Sequence, residues 1–277
     1  MGVVLGLLAA VCYGVSDFAA GVGGRRADPD AVAIMSQPIG LLAAIVAVVA
    51  FEAHAPSTGT LLWGALAGSG SGIGTLALYR GLTVGRMSVV APLSAVLAAA
   101  LPAIVGISTG DSLSPLRFCG LALALPAIVL VSRQVGQRDE SVRSGIPEGL
   151  VAGACFALLF IGLARAGTDA GAWPLVPAQA LAVLTVVGAG LSFGNPHGSW
   201  RGAWLPAVIT GVLGGSANLA FLASTGAGEL SVVAVLTSLY PAFTILLARI
   251  LLHEHWGRLQ VVGLCLSGVA VTLISVG

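Results

Sequence analysis

The chain is built almost entirely of apolar runs of about twenty residues, each long enough to cross a roughly 30 Å hydrocarbon layer as a helix. They fall near residues 2–23, 31–51, 60–82, 87–108 and 115–132, then near 146–165, 172–192, 203–224, 230–251 and 259–276. The spacing predicts an all-α membrane protein of ten transmembrane helices. Composition agrees: 57% of residues are hydrophobic, 8% are charged and the mean hydropathy is +1.02, which excludes an ordinary soluble domain. A net charge of +1 without a basic stripe gives no footing for a nucleic-acid partner. The first run has no basic leader and is followed by similar runs, so it reads as a span rather than a cleaved signal.

The most polar connector, RQVGQRDESVR from Arg133 to Arg143, divides the chain nearly in half. Three segments follow: a first five-helix repeat (1–133), a polar linker (134–144) and a second five-helix repeat (145–277). SVVAPL (Ser88 to Leu93) returns as SVVAVL (Ser231 to Leu236) at an offset of 143, which also aligns Gly2 with Gly145, Gly6 with Gly149, Cys12 with Cys155, Gly68 with Gly211 and Gly120 with Gly263. Because five is odd, the second copy must enter the membrane from the opposite face. The expected fold is therefore a 5+5 inverted-topology repeat, the plan from which many secondary transporters build a central site between two gates.

The four cysteines lie in apolar runs without metal-ligand or redox spacing and read as small hydrophobes. Trp63, Trp173, Trp200, Trp204 and Trp256 all fall at predicted helix ends, as interfacial anchors do. Gly64, Gly68 and Gly72, with Gly211 and Gly215 in the partner helix, recur every four residues as small packing faces. GSGSGIG (Gly68 to Gly74) lies inside a span and lacks the ending of a phosphate-binding loop, and the HEH triplet at His253 lacks zinc-protease spacing. No cofactor or metal is implied.

TGDSLSPLRFCGLAL (Thr109 to Leu123) and LHEHWGRLQVVGLCLSG (Leu252 to Gly268) close the two halves. With the repeat, they make the chain resemble the drug/metabolite transporter superfamily, specifically its ten-helix EamA-type members. The shared pattern is a short acidic turn followed by a Gln and a Gly. Glu254, Gln260 and Gly263 carry it in the second copy, while Asp111 and Arg117 stand for the usual Glu and Gln in the first. The resemblance implies a carrier for small metabolites, often an exporter, in the cell (plasma) membrane. The acidic turns read as structural, placed where a helix begins and a carboxylate suits its positive end.

Asp17 interrupts a run with no other charged side chain before Gly24. A carboxylate near the centre of a spanning helix costs roughly 2.5 to 3.5 kcal/mol on insertion scales. Tyr13, Ser16 and Asp17 share one helix face, whereas the second copy has Phe160 at the Asp17 position. The other charge inside an apolar run is Arg80, matched by the neutral Ala223. The two helices cross in the same direction, so Asp17 and Arg80 are expected to pair or lie near each other. In one reading Asp17 binds a proton or cationic group exchanged against substrate, with Arg80 tuning it or holding a substrate carboxylate; in the other they are an interfacial ion pair.

Further binding candidates are the mid-helix polar residues Gln37, Thr75, Tyr79, Ser94, Gln179, Asn218, Thr237 and Tyr240, each of which also fits a role as interhelical glue. Pro92 and Pro241 are expected to interrupt the fourth and ninth helices. The partners implied are a small-molecule substrate, protons and the lipid bilayer, with the chain a monomer or homodimer. A non-transporting scaffold or sensor is the alternative. An intramembrane enzyme would need a catalytic set at membrane depth, and a second aspartate or a Ser/His pair is missing there. The arginines divide ten to two between the two faces, which by the positive-inside rule puts both termini outside. The resemblance implies cytoplasmic termini, and parity requires only that they share a side.

Overall fold

A computed structural model describes residues 1–24, 29–50, 54–84, 87–132, 145–193, 202–253 and 257–277. The described residues are helical, without strands: α1 (Gly2–Gly24), α2 (Pro29–Ala50), α3 (Thr58–Val84), α4 (Met87–Ser108), α5 (Pro115–Val131), α6 (Ile146–Ala166), α7 (Leu175–Phe193), α8 (Trp204–Thr225), α9 (Leu230–Thr237), α10 (Tyr240–Leu252) and α11 (Arg258–Val276). In lipid the backbone must satisfy its own polar groups, and a helix does so within one segment. Seven candidate spans are long and apolar enough to cross a membrane, and three shorter apolar helices accompany them. Large apolar side chains such as Val49 (75% exposed), Leu184 (68%) and Ile250 (58%) face outward, as a lipid-facing surface requires. The chain is an integral membrane protein.

One apolar run, Leu230–Leu252, is broken into α9 and α10 at Ser238–Leu239. Pro241 in the first turn of α10 has no N–H to continue the ladder, so the interruption expected there is present. Pro92 behaves differently, because α4 runs through it.

Helix contacts cross between the halves. Gly6 on α1 packs on Val233 and Leu236 of α9, and 143 positions away Gly149 on α6 packs on Val90 and Leu93 of α4. Likewise α1 lies against α8 and α3 against α6. Helices α5 and α11 run antiparallel, with Gly120 against Ile274 and Gly263 against Leu130 and Val131. Antiparallel, too, are α2 and α7, where Gly40 meets Gln179 and Ile34 meets Gly190. The glycine stripes let these backbones approach: Gly64 faces the Pro174 carbonyl just before α7, Gly68 the Ala178 carbonyl on α7, and Gly211 faces Ser36 on α2.

The acidic turn of the first half binds a helix end, but in the other half of the chain. The Asp111 carboxylate accepts the Ser231 N–H (2.8 Å) in the first turn of α9. Its own helix, α5, is capped by Ser114, whose Oγ accepts the Arg117 N–H (3.2 Å). Arg117, at the position of the usual Gln, reaches Glu229 (3.3 Å), which also accepts the Ser112 N–H (3.0 Å). In the second copy Gln260 accepts the Gly257 N–H (2.9 Å) and so caps α11, while Glu254 lies outside the described residues. Trp63 and Trp204 stand exposed at the starts of α3 and α8; Trp200 and Trp256 also lie outside the described residues.

Candidate functional site

Between the halves lies a cavity of about 160 Å³, walled by α1, α2, α3, α4, α6, α7, α8 and the start of α10. Asp17 follows Gly2 by fifteen residues and precedes Gly24 by seven, which at 1.5 Å per residue places it about 22 Å along α1 and about 10 Å from its end. The carboxylate therefore lies within a candidate span, about 6 Å past the middle of its helix. Its side chain is exposed, and the space it faces is the cavity. That exposure is how the sequence accommodates a charge inside an apolar run.

Eight of the twelve residues singled out in the sequence line this cavity: Tyr13, Ser16 and Asp17 on α1, Gln37 on α2, Thr75 on α3, Gln179 on α7, Asn218 on α8 and Tyr240 on α10. The Tyr13 hydroxyl donates to Asn218 Oδ1 (2.6 Å), linking α1 to α8. Ser16 donates to the Thr210 carbonyl (3.1 Å) and Thr210 returns a bond to the Ser16 carbonyl (3.3 Å), a reciprocal clasp between the same helices. The Tyr13 ring stands edge-on to Phe160 at 6.3 Å and tilted to Tyr240 at 6.1 Å. Phe160 is backed by Phe221 at 4.5 Å. Tyr13, Phe160 and Tyr240 share the cavity lining with Asp17.

The remaining four candidates lie elsewhere. Arg80 is exposed and lines a separate hollow on α3 and α6 with Glu148, Pro147 and Val151. Among the described residues no side chain ion-pairs with Asp17, so the pair expected from the sequence is not formed and the two charges face different spaces. The physical reason is helix phase: Thr75 faces the cavity, and at about 100° per residue Arg80 lies about 140° around α3 from it, beside α6. Thr237 is buried and donates to the Gly6 carbonyl (3.3 Å), so it ties α9 to α1 instead of facing the cavity. Ser94 is buried where Gly153 packs on its backbone. The side chain of Tyr79 lies outside the described residues.

Sequence reasoning missed Ser36, Ser71 and Thr210, which also line the cavity. Hydroxyls of this kind usually bond to their own helix, as Ser36 does to the Ala33 carbonyl (3.0 Å), and leave no pattern in the sequence. One signal was available: Ser36 sits 143 positions before Gln179, and Thr75 the same distance before Asn218, so a candidate in one half points to its counterpart.

Residues 143–276 match the model of the EamA-like transporter family. No curated protein matches the chain. A solved crystal structure is similar at a TM-score of 0.75 over 99% of this chain and 98% of that one, at 19% identity, which speaks for the fold alone. The apolar helices agree with that match: over residues 143–276 the chain is similar to the EamA-like transporter family.

Proposed function

We propose that the protein is a secondary active transporter of the plasma membrane that moves a small metabolite or drug-like solute outward, by alternating access through the central cavity, in exchange for protons carried on Asp17. The two five-helix halves, 1–133 and 145–277, act as oppositely oriented copies that rock about that cavity. What supports the inversion is that helices at equivalent places, α2 with α7 and α5 with α11, pack antiparallel. Antiparallel packing of equivalent helices is what a copy turned over relative to the other would produce.

The observation that carries the reading is the placement of Asp17, a carboxylate within a candidate span, facing the cavity and lacking an ion-pair partner among the described residues. Such a group can take up a proton or a positive charge from whichever side the cavity opens to, and release it at the other. The titratable side chains near it are Tyr13 and Tyr240, which hold its surroundings without matching its charge. Helices α1 and α8, clasped through Ser16 and Thr210, move as one unit in this scheme.

The test is flux in proteoliposomes under an imposed pH gradient, with a panel of amines, amino acids, organic acids and sugars. The wild-type chain is expected to move at least one class with accompanying proton counterflow. Asp17→Asn should lose proton-coupled flux by at least about tenfold while Asp17→Glu keeps it. Full proton-dependent flux in Asp17→Asn would refute the coupling role. Binding without flux would mark a scaffold or sensor, and chemical change of the solute an enzyme.

A further inference from the structure

Two helices that line the cavity, α1 and α6, occupy equivalent places in the repeat but carry opposite chemistry. Tyr13, Ser16 and Asp17 on α1 correspond, at the 143-residue offset, to Phe156, Leu159 and Phe160 on α6, and all six line the cavity. Duplication has thus left one polar, negatively charged wall and one aromatic, apolar wall.

From this asymmetry we infer that the cavity takes an organic monocation, an ammonium group carried on an apolar, aromatic-sized body, with the charge at Asp17 and the body against Phe156, Leu159 and Phe160. The inference rests on the carrier reading above for its physiological meaning, but it concerns binding alone.

Three observations carry it. First, Asp17 is the only charged residue in the cavity lining among the described residues; no Arg, Lys or His shares that space, and Arg80 faces another. A carboxylate or phosphate solute would therefore meet a fixed like charge with nothing to offset it. Second, much of the cavity's other polar capacity is committed to holding helices together. Tyr13 donates to Asn218, Ser16 and Thr210 bond each other's backbones, and Thr75 bonds the Ser71 carbonyl (2.9 Å). A polyhydroxylated solute would find few free partners, whereas an ammonium needs chiefly the carboxylate and the amide oxygens of Gln37 and Gln179. Third, the rings of Tyr13, Tyr240 and Phe160 line the same cavity as Asp17, and ring faces attract a desolvated ammonium. Phe221 behind Phe160 holds that ring in place. An arriving ammonium displaces a proton from Asp17, which gives one-for-one exchange without a second charged site.

The experiment measures binding to the purified full-length chain in detergent by titration calorimetry, with four probes: phenethylamine, the neutral 2-phenylethanol, the anionic 3-phenylpropionate, and ethylamine, which has the charge without the body. Phenethylamine is expected to bind at least about tenfold more tightly than each of the others. Asp17→Asn should remove its advantage over 2-phenylethanol, and Phe160→Ala its advantage over ethylamine. Equal or tighter binding of the alcohol or the carboxylate, or no detectable binding of the amine, overturns the inference, and this comparison on the wild-type chain does not depend on how the variants fold. Failure of the carrier reading is separable: phenethylamine that binds but shows no counterflow in proteoliposomes leaves the cation site standing and removes transport. Flux of 3-phenylpropionate with no binding of the amine does the converse.

Discussion

Replacing Gly68 by alanine tests the helix packing that shapes the cavity. A methyl placed there would fall on the Ala178 carbonyl and 2.8 Å from the Ala178 Cα, where carbon atoms rest comfortably at about 3.5 to 4.0 Å. Helices α3 and α7 must part by about 1 Å to admit it. Alanine favours a helix interior over glycine by about 0.5 to 1 kcal/mol. Overpacking a close interface costs about 1 to 3 kcal/mol, so the steric term wins and a net loss of about 1 to 2 kcal/mol is expected. Gly188 on α7 is the control, since a methyl there meets nothing within 4 Å. Gly188→Ala should be neutral or stabilising by up to about 1 kcal/mol. Unfolding of both variants in mixed micelles, followed by circular dichroism against added denaturing detergent, measures the difference. If Gly68→Ala is as stable as Gly188→Ala, α3 does not lie on α7 as described, and Ser71 and Thr75, which α3 carries into the cavity, are misplaced with it.

Two further expectations concern the joints between the halves. Asp111→Ala removes a carboxylate from the first turn of α9 and leaves the Ser231 N–H without its acceptor, at a cost of about 1 to 2 kcal/mol in the same unfolding assay, whereas Asp111→Asn should recover part of it. No loss in Asp111→Ala would show that this contact does not hold α9. Tyr13→Phe removes the bond to Asn218 and should cost about 0.6 kcal/mol, with a double-mutant cycle against Asn218→Leu returning a coupling of similar size; zero coupling would contradict the contact.

The positions of the spans were legible because the bilayer fixes their length: the run at 146–165 became α6 at Ile146–Ala166, and the run at 87–108 became α4 at Met87–Ser108. Asp17 was legible for the same reason, since a charge in such a run must face something other than lipid. What periodicity within one helix cannot give is which helix faces it. Depth along a span can be counted, which brings Arg80 level with Asp17, but α3 turns Thr75 to the cavity and so carries Arg80, about 140° further round, to another space. Thr237 shares a helix run with Tyr240, yet the break at Ser238–Leu239 leaves one hydroxyl bonding Gly6 and the other ring in the cavity. The Asp111 turn was read as a helix cap, which it is, but its helix lies in the other half, a pairing across more than a hundred residues that no local pattern encodes.

Alternating access is the core of this account, and a single thiol in the cavity tests it most directly. With Cys12, Cys119, Cys155 and Cys265 replaced by alanine and Ser71→Cys introduced on the cavity wall, sealed proteoliposomes of one orientation can be treated with a membrane-impermeant thiol reagent from either side. The account predicts labelling from both sides, with the balance shifting when the pH gradient is reversed. Labelling from one side alone, whatever the gradient, would mean the cavity opens to a single face and would contradict it.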